Sequence, residues 1–199
     1  MKIAIFGAQG TIGQAISKEL GQRHEVIAIG RNSGAHQADM ADIASVRTLF
    51  QQIGKVDAII AVAGQVHFGP LADMTPEQLN IGLQSKLMGQ ANLVLLAREV
   101  LNDGGSITLT SGVLTDDPIR FGAAASMANG AIEAFARAAA IELPRGIRVN
   151  VVSPTVLQES MDSYGPYFRG FVPVAAAKVA QAYSKSVEGA QTGQVYKVF

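Results

Sequence analysis

The segment Gly7-Ala8-Gln9-Gly10-Thr11-Ile12-Gly13 constrains this chain more than any other. It follows an apolar run, Lys2 to Phe6, that reads as a buried strand. It precedes Thr11 to Gly21, where Ile12, Ala15, Ile16 and Leu20 recur on one helical face. In a strand-turn-helix setting, glycines at this spacing have separate tasks. Gly7 and Gly10 let the chain turn with no Cβ in the way and let backbone N–H groups approach a pyrophosphate. Gly13 lets the helix pack close to the sheet. The first amides of the helix, around Gln9, Thr11 and Ile12, and the positive end of its dipole favour phosphate. The turn is therefore expected to hold a dinucleotide.

The rest of the chain repeats the strand-helix alternation. Strands are expected at Glu25–Ile29, Ala35–Met40 (weak), Asp57–Ala63, Ser106–Thr110, Ile147–Val152 and Gln194–Val198. Helices are expected at Ile43–Ile53 after the cap Asp42, from Thr75-Pro76-Glu77 as a short piece, at Ile81–Leu101, at Ala123–Leu143 and at Val174–Ser186. Asn102 to Gly105 reads as a break and residues 111–122 as a loop. The run from Ala58 to Ala63 is apolar throughout, which suits a parallel strand covered on both faces. These signals predict an α/β class, a doubly wound parallel sheet in a three-layer αβα sandwich, the Rossmann fold. Residues 1–199 are expected to form one nucleotide-binding domain, with 155–173 as a substrate flap rich in Gly, Pro and aromatics.

Composition narrows the partners. Lys plus Arg and Asp plus Glu number 16 each, and no basic block occurs, so neither nucleic acid nor an anionic membrane is expected. Cys is absent, which removes disulfides, thiolate catalysis and Cys-based metal sites. No metal-ligand spacing is visible. No export leader and no apolar run of about 20 residues is seen, so a cytoplasmic location is the expectation.

The end of the second strand selects the nucleotide. An NAD site carries a carboxylate there for the ribose 2′-hydroxyl. Here the segment is Ile29-Gly30-Arg31-Asn32-Ser33. Arg31 offers a planar cation for a 2′-phosphate, and Asn32 and Ser33 offer further donors. NADP(H) is the expected cofactor.

Taken together, these motifs resemble the short-chain dehydrogenase/reductases over nearly the whole chain. Asp39-Met40 looks like the family's step after the third strand, which contacts adenine. Ala63-Gly64 matches the end of an Asn-Asn-Ala-Gly motif whose two Asn positions hold Ala61 and Val62. Ser111 follows the fifth strand, where the family places its catalytic Ser. Ser153-Pro154-Thr155 is similar to the segment that contacts the nicotinamide carboxamide, with Thr155 in place of Gly. The resemblance implies a small carbonyl or alcohol substrate and a homodimer or homotetramer built through the two long helices.

The catalytic pair departs from that pattern. The family's Tyr-x-x-x-Lys positions fall on Ala125 and Asn129, and residues 112–143 contain neither Tyr nor Lys. Conversely, Lys86-Leu87-Met88-Gly89 stands where the family has Asn-x-x-Gly. A cation and an amide have exchanged places, in positions that the resemblance implies are close. Lys86, Asn129 and Ser111 are therefore the catalytic candidates, with a Lys86 ammonium as acid. The opposing reading makes Lys86 a surface residue and Asn129 a packing residue. His67 as a proton relay and Tyr164 or Tyr167 as lid phenols are further candidates. Two functions follow: an NADP(H)-dependent oxidoreductase, or a non-catalytic NADP(H)-binding regulator or scaffold that has lost its acid.

Overall fold

A computed structural model describes residues 1–199. Seven strands form one parallel sheet: β1 (Lys2–Phe6), β2 (Glu25–Gly30), β3 (His36–Gln37), β4 (Val56–Ala61), β5 (Leu101–Thr110), β6 (Arg148–Pro154) and β7 (Val195–Val198). Their spatial order is β3-β2-β1-β4-β5-β6-β7. Every neighbouring pair is parallel.

Strand alternation explains why the strands are apolar on both sides. Ala4 and Phe6 of β1 point into one core; Ile3 and Ile5 point into the other. The first core is closed by α2 (Ile43–Ile53), α4 (Gly89–Val100) and α5 (Ala123–Glu142) through Leu49, Phe50, Leu93 and Ile132. The second is closed by α1 (Thr11–Leu20) and α7 (Ala176–Glu188) through Ile16, Leu20, Val179 and Tyr183. Each of these large side chains contributes about 1.5–3 kcal/mol by leaving water. A charge at Ile5 or Ile60, both fully buried, would break the sheet-helix contact.

The strand order reverses between β1 and β4, which opens a crevice beyond their carboxyl ends. Gly7 leaves β1 there, and the chain leaves β4 toward Gly64. A second device fixes the end of β5. The Gln90 side chain of α4 both donates to Thr110 O (2.9 Å) and accepts from Thr110 N (2.7 Å). The Thr110 hydroxyl donates to Ala61 O (2.6 Å) and so accepts from Tyr183 (2.6 Å).

Several boundaries differ from the expectations. The third strand is only His36–Gln37, because Asp39 turns the chain: its carboxylate accepts from Ala41 N and its carbonyl from Asp42 N. The expected short helix is α3 (Pro76–Gly82), where Thr75 and Gln78 form a capping box, and the chain runs on from it toward the expected long helix without a break. It then passes through a π-helical stretch, Leu83–Met88, before α4. The helix stops at Val100, and Leu101 already pairs with Val56. The chain therefore does not break at 102–105 but bulges within β5. The strand after β4's last residue, Ala61, does not extend to Ala63, β6 runs on to Pro154, and α7 lies two residues later than expected. Within 155–173, only Gln158–Ser160 and α6 (Met161–Tyr164) are helical.

Candidate active site

A cleft of about 260 Å3 lies over the switch point. Its floor is the glycine turn, and its wall is built from Gly30, Arg31, Asp39, Met40, Ala63 and Gly64. Gly7 has φ +88°, and a Cβ there would lie 2.9 Å from Ala63 Cβ and Val62 O. A Cβ on Gly13 would lie 2.2 Å from Gly7 O, which shows how closely α1 approaches the turn. Gly10 caps α1 with no side-chain acceptor, so the first amides of the helix keep their donors for an incoming anion. Ile12 turns instead to the core beneath α1, and Thr11 is exposed.

The loop after β2 is tied to that turn, because the Ser33 hydroxyl donates to Gln9 Oε1. Arg31 Nε lies 3.1 Å from Asp39 Oδ2 while both Nη groups keep free donors; Arg31 and Asn32 are exposed. Asp39 is thus engaged by Arg31 and Ala41 N, and Met40 is buried with its carbonyl accepting from Asn92. The arrangement fits a dinucleotide: a cradle that a Cβ would fill, free helix amides, and an Arg at the ribose end.

A second cavity, about 160 Å3, opens beside the first. Lys86, Ser111, Asn129, Pro154 and Thr155 all line it, so the exchanged pair and the β6 segment do come together. Ala125 lines it too, with a methyl group where the family has a phenol. Val66, Phe68, Leu114, Val156 and Phe168 supply apolar walls. Gly64 separates the two cavities: a Cβ on it would fall 2.7 Å from Lys86 Cα and 2.8 Å from Lys86 Cγ. The π-helical stretch carries Lys86, and such widened turns reorient side chains relative to a regular helix.

Lys86 Nζ donates to Ser111 O at 3.2 Å. Burial in the apolar cavity pushes its ammonium down to about 8, and no carboxylate offsets this. It is the one titratable side chain lining the cavity. Asn129 Oδ1 is buried with no hydrogen-bond partner, an acceptor left open at the site.

Ser111 is placed differently from the expectation. Its hydroxyl donates to Glu133 Oε1 at 2.8 Å, inside the protein, so the proton needed by a substrate oxygen is already committed. The residue whose side chain would meet Asn129 is Gly112: a Cβ there lies 3.2 Å from Asn129 Nδ2. The His67 ring packs at Gly69 and does not line the cavity. Tyr164 and Tyr167 are exposed; Tyr164 tilts against Phe68, and Phe168, not a tyrosine, reaches the cavity. Glu133, Phe68 and the π-helical stretch are not foreseen from the sequence. Glu133 on a helix one turn beyond Asn129 was the only available signal.

Comparisons with known proteins agree with this fold. A family model described as enoyl-(acyl carrier protein) reductase matches residues 7–193. The crystal structure of the protein lin1944 from Listeria innocua is 54% identical, covers 100% of both chains and superposes with a TM-score of 0.98. A small-chain dehydrogenase solved in complex with NADPH is 27% identical over 100% of this chain and 96% of its own, with a TM-score of 0.88. Among curated proteins, an oxidoreductase of Methylorubrum extorquens is 31% identical over 77% of this chain and 72% of its own length. Versicolorin reductase 1 of Dothistroma septosporum is 29% identical over 86% and 74%.

Proposed function

The chain belongs to the short-chain dehydrogenase/reductase family, and we propose that it is an NADP(H)-dependent oxidoreductase in which Lys86 takes over the proton chemistry of the family's tyrosine. The observation that carries the proposal is the meeting of Lys86 and Asn129 in one cavity beside the glycine turn. A bound nicotinamide supplies or accepts the hydride. The protein does the rest. The glycine turn and α1 hold the pyrophosphate, with Gly7, Gln9, Gly10, Thr11, Ile12 and Gly13 presenting the backbone. Arg31, Asn32 and Ser33 face the ribose phosphate, and Asp39 and Met40 border the adenine. Ala63, Gly64, Pro154 and Thr155 border the nicotinamide half.

In the substrate cavity the Lys86 ammonium donates to a carbonyl oxygen as alkoxide charge develops on it, and takes the proton back in alcohol oxidation. Ser111 contributes through its main-chain carbonyl, which orients Nζ. Asn129 supplies an amide to the ribose or the substrate. The walls favour a small apolar carbonyl or alcohol compound. Residues 155–173 close this cavity through Val156 and Phe168, and residues 1–199 act as one unit.

A homodimer or homotetramer is part of the same proposal. The outer faces of α4 and α5 leave an apolar groove of about 640 Å3 with Leu95, Phe135 and Ala138, and Leu95 is 56% exposed. No helix is long and apolar enough to cross a membrane, which is consistent with a cytoplasmic location. A panel of apolar aldehydes and ketones with NADPH, followed by loss of NADPH absorbance, tests the function. Tight NADPH binding with no turnover on any compound would favour the regulator or scaffold instead.

A further inference from the structure

We propose that Lys86 is also a covalent site: a nucleophilic amine that condenses with small apolar aldehydes, independently of any nucleotide. The geometry that supports this is the amine's isolation. Nζ makes one hydrogen bond, as donor to the Ser111 carbonyl, and that oxygen cannot cap the lone pair of the free base. No carboxylate lies within ion-pair distance of it. Behind the wall, Glu133 on α5 is engaged elsewhere: its Oε1 accepts from the Ser111 hydroxyl and its Oε2 is 3.9 Å from Arg137. The elements packed around the cavity present Gly64, Gly112, Asn129, Val66, Phe68 and Phe168, none of which titrates.

The Gly64 backbone packs closely against the start of the Lys86 side chain, and Lys86 lines a cavity of about 160 Å3, which is room for a small carbonyl compound. A lysine with no carboxylate partner, half-buried among apolar walls, is the setting in which an amine becomes a nucleophile near neutral pH. Burial alone depresses its ammonium, so a useful fraction is the free base.

The step balances without an external oxidant or reductant. The Nζ lone pair attacks the carbonyl carbon, and the C=O π pair moves to oxygen. Nitrogen loses a proton and the oxygen gains one, giving a carbinolamine. The C–O bond then breaks, water leaves with a further proton from nitrogen, and a C=N bond remains. With the ammonium, the same cavity donates a proton; with the amine, it forms an imine.

The test uses the full chain with benzaldehyde and sodium cyanoborohydride, no nucleotide present, and peptide mapping of the reduced adduct. The result expected is labelling of Lys86 at least about tenfold faster than any other lysine, because burial favours the free base at Lys86. The Met1 α-amine serves as the internal reference. The Lys86 rate rises through pH 8, and Lys86→Arg abolishes that adduct while leaving the Met1 adduct. Labelling of Lys86 no faster than the other lysines in the folded wild-type protein overturns the proposal. NADPH turnover is measured separately, so loss of one reading leaves the other standing.

Discussion

Lys86 Nζ rests 3.2 Å from the carbonyl oxygen of Ser111, so a cation from the helix before β5 is held against the chain leaving β5. Gln90, four residues further on, pins Thr110 by two hydrogen bonds, and the two contacts together fix the helix against the strand end. Lys86 thereby lines the same cavity as Ala125, where no phenol is present. Replacing Lys86 by Met removes the acid and keeps the stem. We expect turnover to fall by about 100- to 10,000-fold, the usual weight of a general acid, with NADPH affinity changed less than about threefold. Steady-state kinetics beside a fluorescence titration separate the two.

The pH profile carries a sign. The ammonium is pushed down to about 8 by burial, and in the proposed role it is the form that donates a proton. Carbonyl reduction is therefore flat below that pH and falls as pH rises through it. Alcohol oxidation, which needs the free amine, rises over the same window. The profiles in both directions are to be measured with one alcohol-carbonyl pair; parallel profiles would contradict the assignment.

In the proposed function Arg31 selects the nucleotide. Its Nη groups are free while Asp39 holds Nε. Arg31→Ala removes a charge-assisted contact to the 2′-phosphate worth about 1.5–3 kcal/mol. NADPH affinity should drop about tenfold to a hundredfold, and NADH affinity should not move.

The glycine turn separates stability from binding. Gly13→Ala places a methyl 2.2 Å from Gly7 O, against backbone that cannot yield. It should cost about 3 kcal/mol and lower Tm by roughly 6–12 °C. Gly10→Ala meets only Gly7 O, at 3.5 Å, an ordinary contact. That variant should melt close to wild type and lose nucleotide affinity. Thermal melts with and without NADPH read both effects.

At the α1–α7 edge, Glu188 accepts from Arg23 and lies 2.8 Å from His24, which holds its carboxyl at about 2 against an ordinary 4.5. Its folded pKa is depressed, so its stabilisation is present above pH 4.5 and is lost as pH falls toward 2. The side chain is 34% exposed, and solvent screening leaves about 1 kcal/mol. Acid denaturation of Glu188→Gln should begin from lower stability at pH 6 and converge with wild type at pH 2.

Much of this was legible in the sequence. The short apolar and β-branched runs give β1, β4 and the second half of β5, and the glycine spacing gives the switch-point cleft, because both are local consequences of covalent geometry. The Lys86–Asn129 exchange was legible only through resemblance, since the residues come from different helices. Non-local features escaped. The π-helical stretch has no composition signature, and Ser111 looked available until Glu133 was seen to accept its hydroxyl. The third strand was overestimated because Asp39, an ordinary acid in sequence, ends it by capturing backbone amides.

The central claim is that Lys86 is the acid of a working reductase. Its most direct measurement is single-turnover oxidation of bound NADPH by an apolar aldehyde, wild type against Lys86→Met, at pH 7. The account predicts hydride transfer in wild type and a loss of about 100-fold or more in the variant. Equal rates in the two proteins, or saturating NADPH with no transfer in wild type, would contradict it.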